Sequence, residues 1–314
     1  MGQQTFRTVS RDGLAWLEAV PLTKWPWLVH AFSTRCGGRS RVPCAGLNLG
    51  FTEWDKRETV EANRRRFWAG LGVADFAIAS VHQVHSSHGF VASRASSGEA
   101  AYRLACAADG EEASTKSPAG DALMTAEPGI LLTIRIADCL PVLLVDPAKP
   151  AVAAVHAGWR GALDRVVETA VGDMRVAFGS DPGQIVALLG PSIRPCCYDV
   201  GEEVVEAFRG RFPRADQFFQ ALPQTSQAAA DRYEFLFLKA YPPGHAPERV
   251  PAARLDLTAV ARDQLASAGV SPSNILVADY CTACRTDLFF SHRKEGVRTG
   301  RQVAVIGIRP QQPD

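Results

Sequence analysis

The chain has 314 residues, and its 34 lysines and arginines nearly balance its 33 aspartates and glutamates, which gives a net charge of +1. No basic block and no run of about 18 apolar residues occurs, so the composition argues against nucleic-acid binding and membrane association. Eight cysteines at irregular spacings favour reduced thiols, and hence a cytoplasmic protein, over a disulfide framework. These patterns leave the oligomeric state open.

The amino-terminal part predicts a strand, a glycine-rich loop and a helix. Phe32-Ser-Thr-Arg35 runs into Gly37-Gly38, and Asn48 follows shortly afterwards. Arg35 and Asn48 are candidate substrate-binding residues. An ordinary surface turn is the alternative, because a Gly-Gly pair alone is a weak phosphate signal. Apolar residues at helical spacing then predict an amphipathic helix over 58–71.

Residues 76–85 alternate as in a strand, which would send His82 and His85 to opposite faces. The stretch near 94–117 lacks periodicity and is interpreted as a surface loop or insertion, and a second insertion is placed near 220–253. Apolar and periodic segments predict the other elements, which are strands at 130–137, 184–189, 275–278 and 302–308 and helices at 163–178, 202–212 and 255–268. No linker divides the chain, which favours a single domain over 1–314.

A hairpin centred on Asp146-Pro147-Ala148-Lys149 carries the strongest chemical pattern of the chain. Asp followed by Pro suits a type I turn, and that turn would set Cys139 directly opposite His156. Opposed side chains have Cβ atoms roughly 4.5–5.5 Å apart, which suits two ligands of one metal ion or a nucleophile and its base. A slip of one residue would place the two side chains on opposite faces.

A catalytic zinc site needs three protein ligands and one open position, and both thiolate and imidazole suit zinc. Cys139 and His156 supply two ligands, and His85, which leaves its strand just before a turn, is the preferred third. The competing histidines are His30, His82, His88, His245 and His292. Two alternatives stay open. One is a buried thiol beside a core histidine, and the other is a hydrolase or amidase with Cys139 as nucleophile and His156 as base.

Arg160 lies near the start of the helix that follows the hairpin. Free N–H groups and a positive dipole at a helix amino end attract anions, so Arg160 and this turn are a candidate seat for phosphate or carboxylate. An arginine that caps local carbonyl groups is the alternative. Cys281-Thr-Ala-Cys284 has CxxC spacing, but a second such pair is missing and its role stays open.

Several strings together resemble one family, the YfiH-like or laccase-domain proteins. The matching strings are Ala137-Asp-Cys139-Leu-Pro, Val155-His156-Ala-Gly-Trp-Arg-Gly161, Phe32-Ser-Thr-Arg-x-Gly-Gly, Leu47-Asn-Leu-Gly, Gln83-Val-His85, Gly190-Pro-Ser-Ile and Cys197-Tyr-x-Val-Gly. The first two are highly specific, and the resemblance spans nearly the whole chain. It departs at Ile136, where the family usually has Thr, and at Ser86, where it usually has Gly.

The resemblance implies an α/β fold with mixed sheets in α/β/β/α layers, and a zinc site on His85, Cys139 and His156, with copper as the alternative metal. It implies a purine nucleoside phosphorylase that acts on adenosine, inosine, guanosine and methylthioadenosine and also deaminates adenosine. Small nucleosides and phosphate are then the expected partners. Cys139, His156 and Arg160 would be catalytic, with Arg160 also binding substrate alongside Arg35 and Asn48. A copper-dependent polyphenol oxidoreductase is the alternative that the laccase label suggests.

Overall fold

The apolar runs of the sequence form the strands of mixed sheets. The computed structural model describes residues 5–106, 113–222 and 251–311. The chain divides into two compact units, a large one formed by residues 1–194 and 257–314 and a small one formed by residues 195–256. The mixed α/β class predicted from the sequence is confirmed. A single domain over 1–314 stays a prediction.

The elements follow one another with short connections. The described strands are β1 (Phe6–Arg11), β2 (Leu14–Ala19), β3 (Leu28–Ser33), β4 (Ala77–Ser80), β5 (Gly89–Arg94), β6 (Ala100–Leu104), β7 (Ala122–Thr125), β8 (Ile130–Ile136), β9 (Leu140–Asp146), β10 (Ala151–Ala157), β11 (Val186–Leu189), β12 (Asp199–Val200), β13 (Phe219–Gln220), β14 (Ala253–Leu255), β15 (Ile275–Val277) and β16 (Gln302–Ile308). The described α-helices are α1 (Arg57–Leu71), α2 (Trp159–Leu163), α3 (Val166–Phe178), α4 (Glu202–Arg211), α5 (Leu257–Ser267) and α6 (His292–Glu295).

The large unit contains two sheets that share one apolar core. The first has the strand order β1-β2-β3-β16-β8-β4, and the second has the order β15-β11-β9-β10-β7-β5-β6. Each sheet combines antiparallel pairs with parallel ones, such as β4 with β8 and β5 with β7. Ile134 and Ala304 of the first sheet are buried in the same cluster as Leu143 and Leu123 of the second. Removal of this apolar surface from water is the main favourable term in folding.

Helices cover the outer faces of the two sheets. Phe67 and Leu71 of α1 are buried in one cluster with Trp16 and Val305 of the first sheet. α3 contacts β10 and β5 of the second sheet. The large unit therefore has the α/β/β/α layering that the family resemblance implies.

The predicted helices are confirmed with one correction. Those at 58–71, 202–212 and 255–268 form as α1, α4 and α5 with ends within two residues of the prediction. The helix predicted over 163–178 is instead two helices, α2 and α3, which separate at Arg165 with φ 60°. Left-handed backbone is costly for residues with a side chain and leaves no trace in apolar periodicity, so the sequence pattern did not reveal this break.

The hairpin of β9 and β10 forms, but its register differs from the predicted one by two residues. His156 faces Pro141 across the ladder, so the predicted direct pairing of His156 with Cys139 is wrong. Cys139 lies immediately before β9. Because side chains alternate between faces with a period of two, a shift of two residues keeps each side chain on its predicted face.

The turn of this hairpin explains the shift. Asp146 pairs with Ala151, which leaves the four residues 147–150 in the turn. The Asp146 carboxylate accepts hydrogen bonds from the backbone N–H groups of Ala148 (3.0 Å) and Lys149 (3.1 Å). Pro150 has no N–H to donate to a ladder. The four-residue turn therefore leaves fewer hydrogen-bonding groups without a partner than the predicted two-residue turn would.

Two segments near the amino-terminal half differ from their predictions. Part of the loop predicted near 94–117 is the strand β6, which pairs with β5 and buries Ala101 and Tyr102. Because alanines are small, this segment shows little alternation of apolar and polar residues in its sequence. Its pairing with β5 is what stabilises it as a strand. The strand predicted over 76–85 ends early, at Ser80 of β4, and His85 follows with left-handed backbone (φ 62°).

The small unit contains a three-stranded sheet of order β12-β14-β13 together with α4. Its core includes an aromatic cluster with ring centroids 5.3 to 6.3 Å apart, formed by Phe208, Phe212, Phe218 and Phe219. Most of the insertion predicted near 220–253 lies outside the described residues, as does His245. In the described part of both units, no helix has the length and apolarity that a bilayer crossing requires.

Candidate metal centre

Three potential metal donors from separate chain segments converge in the large unit. The side-chain donor atoms of His85, Cys139 and His156 all lie within 4.8 Å of one another. Cys139 Sγ lies 3.8 Å from His85 Nε2, and the two imidazole rings are 5.0 Å apart at their centroids with an interplanar angle of 67°. The structure thus brings together the three residues predicted as ligands.

The turn before β9 aims Cys139 into this cluster. Asp138 adopts left-handed backbone (φ 92°) and its carboxylate is buried. That carboxylate accepts hydrogen bonds from Thr282 Oγ1 and from the backbone N–H of Arg293, both at 2.6 Å. An uncommon conformation of this kind persists only where surrounding contacts enforce it. Asp138 therefore fixes the direction of the neighbouring thiol.

Asp121 connects the other two donors. Its Oδ1 lies 2.8 Å from His156 Nδ1. Its Oδ2 accepts hydrogen bonds from the backbone N–H groups of Val84 (3.2 Å) and Ser86 (2.6 Å) and from Ser86 Oγ (2.9 Å). Because His156 uses Nδ1 for this bond, its Nε2 remains for a metal. One buried carboxylate therefore orients the His156 ring and holds the backbone on both sides of His85.

Sequence reasoning missed the role of Asp121. The only local signal is an aspartate placed directly before the buried strand β7, since a fully buried carboxylate needs partners. Ser86, a departure from the family pattern, contributes a hydroxyl bond to Asp121 that glycine could not make.

The charges of the metal-free site follow from these contacts. Burial by itself raises the pKa of Cys139, but the His156 and His85 rings outweigh it and lower that pKa to about 6. Burial by itself lowers the pKa of His156, but Cys139 and Asp121 outweigh it and raise that pKa to about 9. At neutral pH the site therefore holds a thiolate beside an imidazolium, and a bound metal ion would displace the imidazolium proton.

Gly158 gives the donors the space they need. A Cβ at this position would lie 2.5 Å from His85 Cδ2 and 3.1 Å from Cys139 Sγ. Gly158 is also the residue before α2. The glycine of the His-Ala-Gly-Trp string therefore lets the chain pass directly beside two of the three donors.

The donor set fits a transition metal. One thiolate and two imidazoles are ligands that Zn²⁺ and Cu²⁺ accept, and three protein ligands leave a coordination position open. Within residues 5–106, 113–222 and 251–311, this is the only group of three or more His, Cys, Asp or Glu donors that contains a histidine. The several histidine-rich centres of a multicopper oxidase are therefore not present in that part of the chain.

The competing histidines lie elsewhere. His30 is buried in β3, where Nε2 accepts a hydrogen bond from the backbone N–H of Ala19 (2.9 Å) and burial lowers its pKa to about 4. The side chains of the other described competitors are exposed, namely His82, His88 and His292.

Arg35 is held by protein groups. Its Nη1 donates to Glu295 Oε1 and to Thr286 O, both at 2.7 Å, and its Nη2 donates to Ala45 O (3.1 Å). The guanidinium carbon lies 4.4 Å from the ring centroid of Phe290. These contacts give Arg35 a clear structural role, and its predicted role in substrate binding stays a prediction.

Asn48 is fully buried, and both the oxygen and the nitrogen of its side-chain amide form hydrogen bonds. Its Nδ2 donates to Asp55 Oδ2 (2.8 Å), and its Oδ1 accepts from the backbone N–H groups of Gly50 (3.1 Å) and Arg301 (2.8 Å). Asn48 therefore positions Arg301, and direct contact with substrate stays a prediction.

Arg160 is exposed in the short helix α2, and its guanidinium carbon lies 4.4 Å from the ring centroid of Trp159. α2 has only five residues, so its dipole is weaker than that of the longer helix predicted from the sequence. The anion-binding role of Arg160 stays a prediction.

Comparisons with known proteins agree on one family. The family model described as multi-copper polyphenol oxidoreductase laccase matches residues 29–309, a range that contains all three donors. The purine nucleoside phosphorylase of Deinococcus radiodurans is 35% identical over 291 residues, which are 92% of this chain and 93% of that protein. Adenosine deaminase RL5, from an unknown prokaryotic organism, is 34% identical over 181 residues, or 58% of this chain and 59% of that protein. The crystal structure of YlmD from Geobacillus stearothermophilus matches with a TM-score of 0.74 at 32% identity, covering 98% of this chain and 99% of that chain.

Proposed function

The chain belongs to the multi-copper polyphenol oxidoreductase laccase family, and from this premise we propose that it is a zinc-dependent purine nucleoside phosphorylase that also deaminates adenosine. The names of its relatives support both activities. The observation that carries the proposal is the convergence of His85, Cys139 and His156 within 4.8 Å. The proposed substrates are adenosine, inosine, guanosine and methylthioadenosine.

A zinc ion in such a three-ligand site supplies Lewis-acid chemistry and lowers the pKa of water towards neutrality, as deamination of a purine requires. The side chains around the site would bind the metal ion and fix the orientation of its ligands. Cys139 contributes negative charge, His156 is oriented by Asp121, and the backbone around His85 is fixed by the same carboxylate. This fixed arrangement limits reorganisation during the reaction.

Phosphorolysis makes different demands. The bond between the purine nitrogen and ribose C1′ breaks, a bond forms between C1′ and a phosphate oxygen, and the electron pair leaves on the purine nitrogen, which then takes a proton. Phosphate must therefore lie beneath the sugar while positive charge develops there. Arg160, close in sequence to His156, remains the candidate phosphate contact from the sequence pattern.

The proposal is tested with metal-defined protein, adenosine and phosphate, by chromatography of adenine, hypoxanthine and ribose 1-phosphate. We expect adenine with ribose 1-phosphate from phosphorolysis, and inosine and then hypoxanthine from deamination. The Cys139→Ser variant should lose zinc and both activities, whereas Cys106→Ser, which changes an exposed cysteine, should retain them. Stoichiometric zinc with none of these products would refute the proposal.

A copper oxidoreductase is the second candidate, because the family description names copper and polyphenols. Copper would occupy the same three-ligand site and, by the usual order of affinities, bind there more tightly than zinc. Metal analysis of protein purified without added copper decides between them. Stoichiometric copper together with turnover of a phenol would favour this candidate.

The thiolate of Cys139 beside a protonated His156 also fits a cysteine nucleophile. A thiol-alkylating reagent separates the two roles. If Cys139 is a metal ligand, zinc protects it from alkylation. If it is a nucleophile, an acyl-enzyme accumulates with an ester or amide substrate.

A further inference from the structure

Three arginines from distant parts of the chain meet around Gly50 in the large unit. A Cβ at Gly50 would lie 2.6 Å from the Cβ of Arg301 and 3.8 Å from the Cδ of Arg135. Arg64 reaches the same segment from α1, where its Nη1 donates to the backbone carbonyl of Leu49 (3.2 Å). We call Arg64, Arg135 and Arg301 the arginine cluster.

The guanidinium groups of the cluster are partly buried and repel one another. Burial, and after it the charge of Arg135, lowers the pKa of Arg64. Burial, and after it the charge of Arg301, lowers the pKa of Arg135. Since like charges in a partly desolvated space are unfavourable, the cluster is electrostatically incomplete as it stands.

Among the described residues, no carboxylate oxygen lies close enough to a guanidinium nitrogen of the cluster to form an ion pair. The side chain of Arg135 donates to Gln83 Oε1 (3.3 Å) and to the carbonyl group of Val81 (3.4 Å). Arg301 Nη1 donates to the carbonyl groups of Thr299 (2.8 Å) and Gly300 (2.9 Å). These partners are neutral and satisfy only part of each guanidinium fork. Glu61, the one acid that acts on Arg64, is itself paired with Arg57 at 3.0 Å.

The cluster adjoins the metal centre. Gln83 accepts from the backbone N–H of Arg135 (3.0 Å) and donates to its carbonyl (2.8 Å), and Gln83 lies two residues before His85. Burial lowers the pKa of Arg301, and the charges of Cys44, Cys139 and Asp138 act in the opposite direction. A ligand that spans both places would meet the metal donors and the arginines together.

We propose that the arginine cluster binds the inorganic phosphate that phosphorolysis consumes. Arginine presents planar pairs of N–H donors that match phosphate oxygens, and a doubly charged anion offsets the mutual repulsion of the three cations. Asn48 and the close approach at Gly50 hold Arg301 in place before phosphate arrives. This proposal rests on the proposed function, because it assigns a substrate to part of the same site.

The direct test measures binding of inorganic phosphate to the zinc-loaded protein without nucleoside, by isothermal titration calorimetry. We expect Arg301→Gln and Arg135→Gln each to weaken binding about 10- to 100-fold, the effect of losing a charge-assisted hydrogen bond. Arg65→Gln, which changes the exposed neighbour of Arg64 on α1, should bind as the wild type does. Unchanged binding in both cluster variants, or loss of binding only in Arg160→Gln, would overturn the proposal.

Chemical modification of the wild-type protein keeps the test independent of the folding of any variant. Phenylglyoxal reacts with accessible arginines, and peptide mapping shows which ones. Phosphate should slow the modification of Arg135 and Arg301 but not that of Arg65. Equal modification of Arg135 and Arg301 with and without phosphate contradicts the proposal.

Kinetics separate this proposal from the proposed function. In Arg301→Gln the KM for phosphate should rise at least about tenfold while the KM for inosine changes less than about twofold. If the wild type binds phosphate through the cluster but forms no ribose 1-phosphate, the proposed function fails and the phosphate site stands. If ribose 1-phosphate forms and the phosphate KM of the variant is unchanged, the function stands and this site fails.

Discussion

Asp121 shows how a single buried residue can organise a site without touching the reacting atoms. Burial opposes its ionisation, yet hydrogen bonds from His156 and Ser86 bring its pKa down to about 2. It therefore stays a carboxylate throughout the neutral range. That charge favours the His156 tautomer with its proton on Nδ1, which leaves Nε2 free for a metal.

Replacement of Asp121 by Asn should weaken metal binding without unfolding the protein. The amide keeps the size of the side chain but loses the charge that orients His156, and such changes typically lower metal affinity about 10- to 100-fold. Competition with a chromophoric zinc chelator measures this affinity. Asp75→Asn, at an exposed position, is the matched control, and equal zinc affinity in the two variants would contradict the role given to Asp121.

His30 predicts a pH dependence of stability that is separate from the metal centre. Its folded pKa of about 4 lies below the ordinary value of 6.5, so the unfolded chain binds more protons between these values. The stabilisation that His30 gives is therefore complete above about pH 6.5 and is lost as the pH falls towards about 4. By about pH 4.5 the free energy of unfolding has fallen by about 2 to 3 kcal/mol on this account. Urea unfolding at about pH 7.5 and about pH 4.5 measures it.

The matched comparison for His30 uses two Gln variants. In His30→Gln the loss of stability on acidification should be smaller by the same about 2 to 3 kcal/mol, because Gln has no group that titrates there. His82→Gln, at an exposed position, should lose as much stability as the wild type. Identical acid sensitivity of the two variants would show that His30 does not titrate as its burial requires.

Short sequence strings identified His85, Cys139 and His156 as candidate ligands, and the structure places their donor atoms within 4.8 Å of one another, while their role as ligands stays a prediction. Asp121 and the arginine cluster could not be predicted in that way. Their partners are distant in sequence, as Gly50 and Arg301 are, and the residues next to them form no motif that indicates a site. Only the fold shows that they meet.

At the scale of elements, the turn between β10 and α2 determines the geometry of the site. His156 lies near the end of β10, and the turn that follows passes Gly158 beside His85 and Cys139. The continuous apolar runs of β9 and β10 predicted both strands of the hairpin. The exact pairing depended instead on Asp146 and Pro150 in the opposite turn, whose side-chain bonds and missing N–H are not visible to apolar periodicity.

Replacement of Gly158 by Ala should damage the site, because the new Cβ would lie 2.5 Å from a ring carbon of His85. The imidazole must then move, and we expect zinc affinity to fall about 10- to 100-fold and stability to fall by about 1 to 3 kcal/mol. Gly172→Ala is the control, since no atom lies within 4 Å of the added Cβ in α3. It should keep zinc and gain about 0.5 to 1 kcal/mol. Equal zinc affinity and equal stability in the two variants would refute this account of the turn.

At the scale of the whole molecule, two of the three candidate metal donors lie outside the strands that build the folding core. The core consists of apolar residues shared by the two sheets of the large unit, whereas His85 and Cys139 lie in connecting segments and His156 is in β10. The sheets themselves were predictable as strands, but their order was not. The insertion of β16 between β3 and β8 depends on contacts across most of the chain.

Removal of the metal by a chelator should therefore lower stability but leave the fold intact. A ligand at 100 to 1,000 times its Kd stabilises a protein by about 3 to 4 kcal/mol, which for a chain of this size corresponds to a Tm lower by about 5 to 7 °C after its removal. Circular dichroism should show unchanged helix and strand content, and added zinc should restore the Tm. Unfolding on chelation at room temperature would mean that the metal is part of the core.

The position of β16 has a consequence for biosynthesis. Since β16 lies between β3 and β8, the ribosome has made every other strand of the first sheet before the one that joins its two halves. Until residues 302–308 emerge, β3 and β8 each present an unpaired edge, and such edges can pair with other chains. Completion of this sheet therefore waits for β16, the last of its strands to be synthesised, and the interval before it is when the nascent chain most needs protection from aggregation.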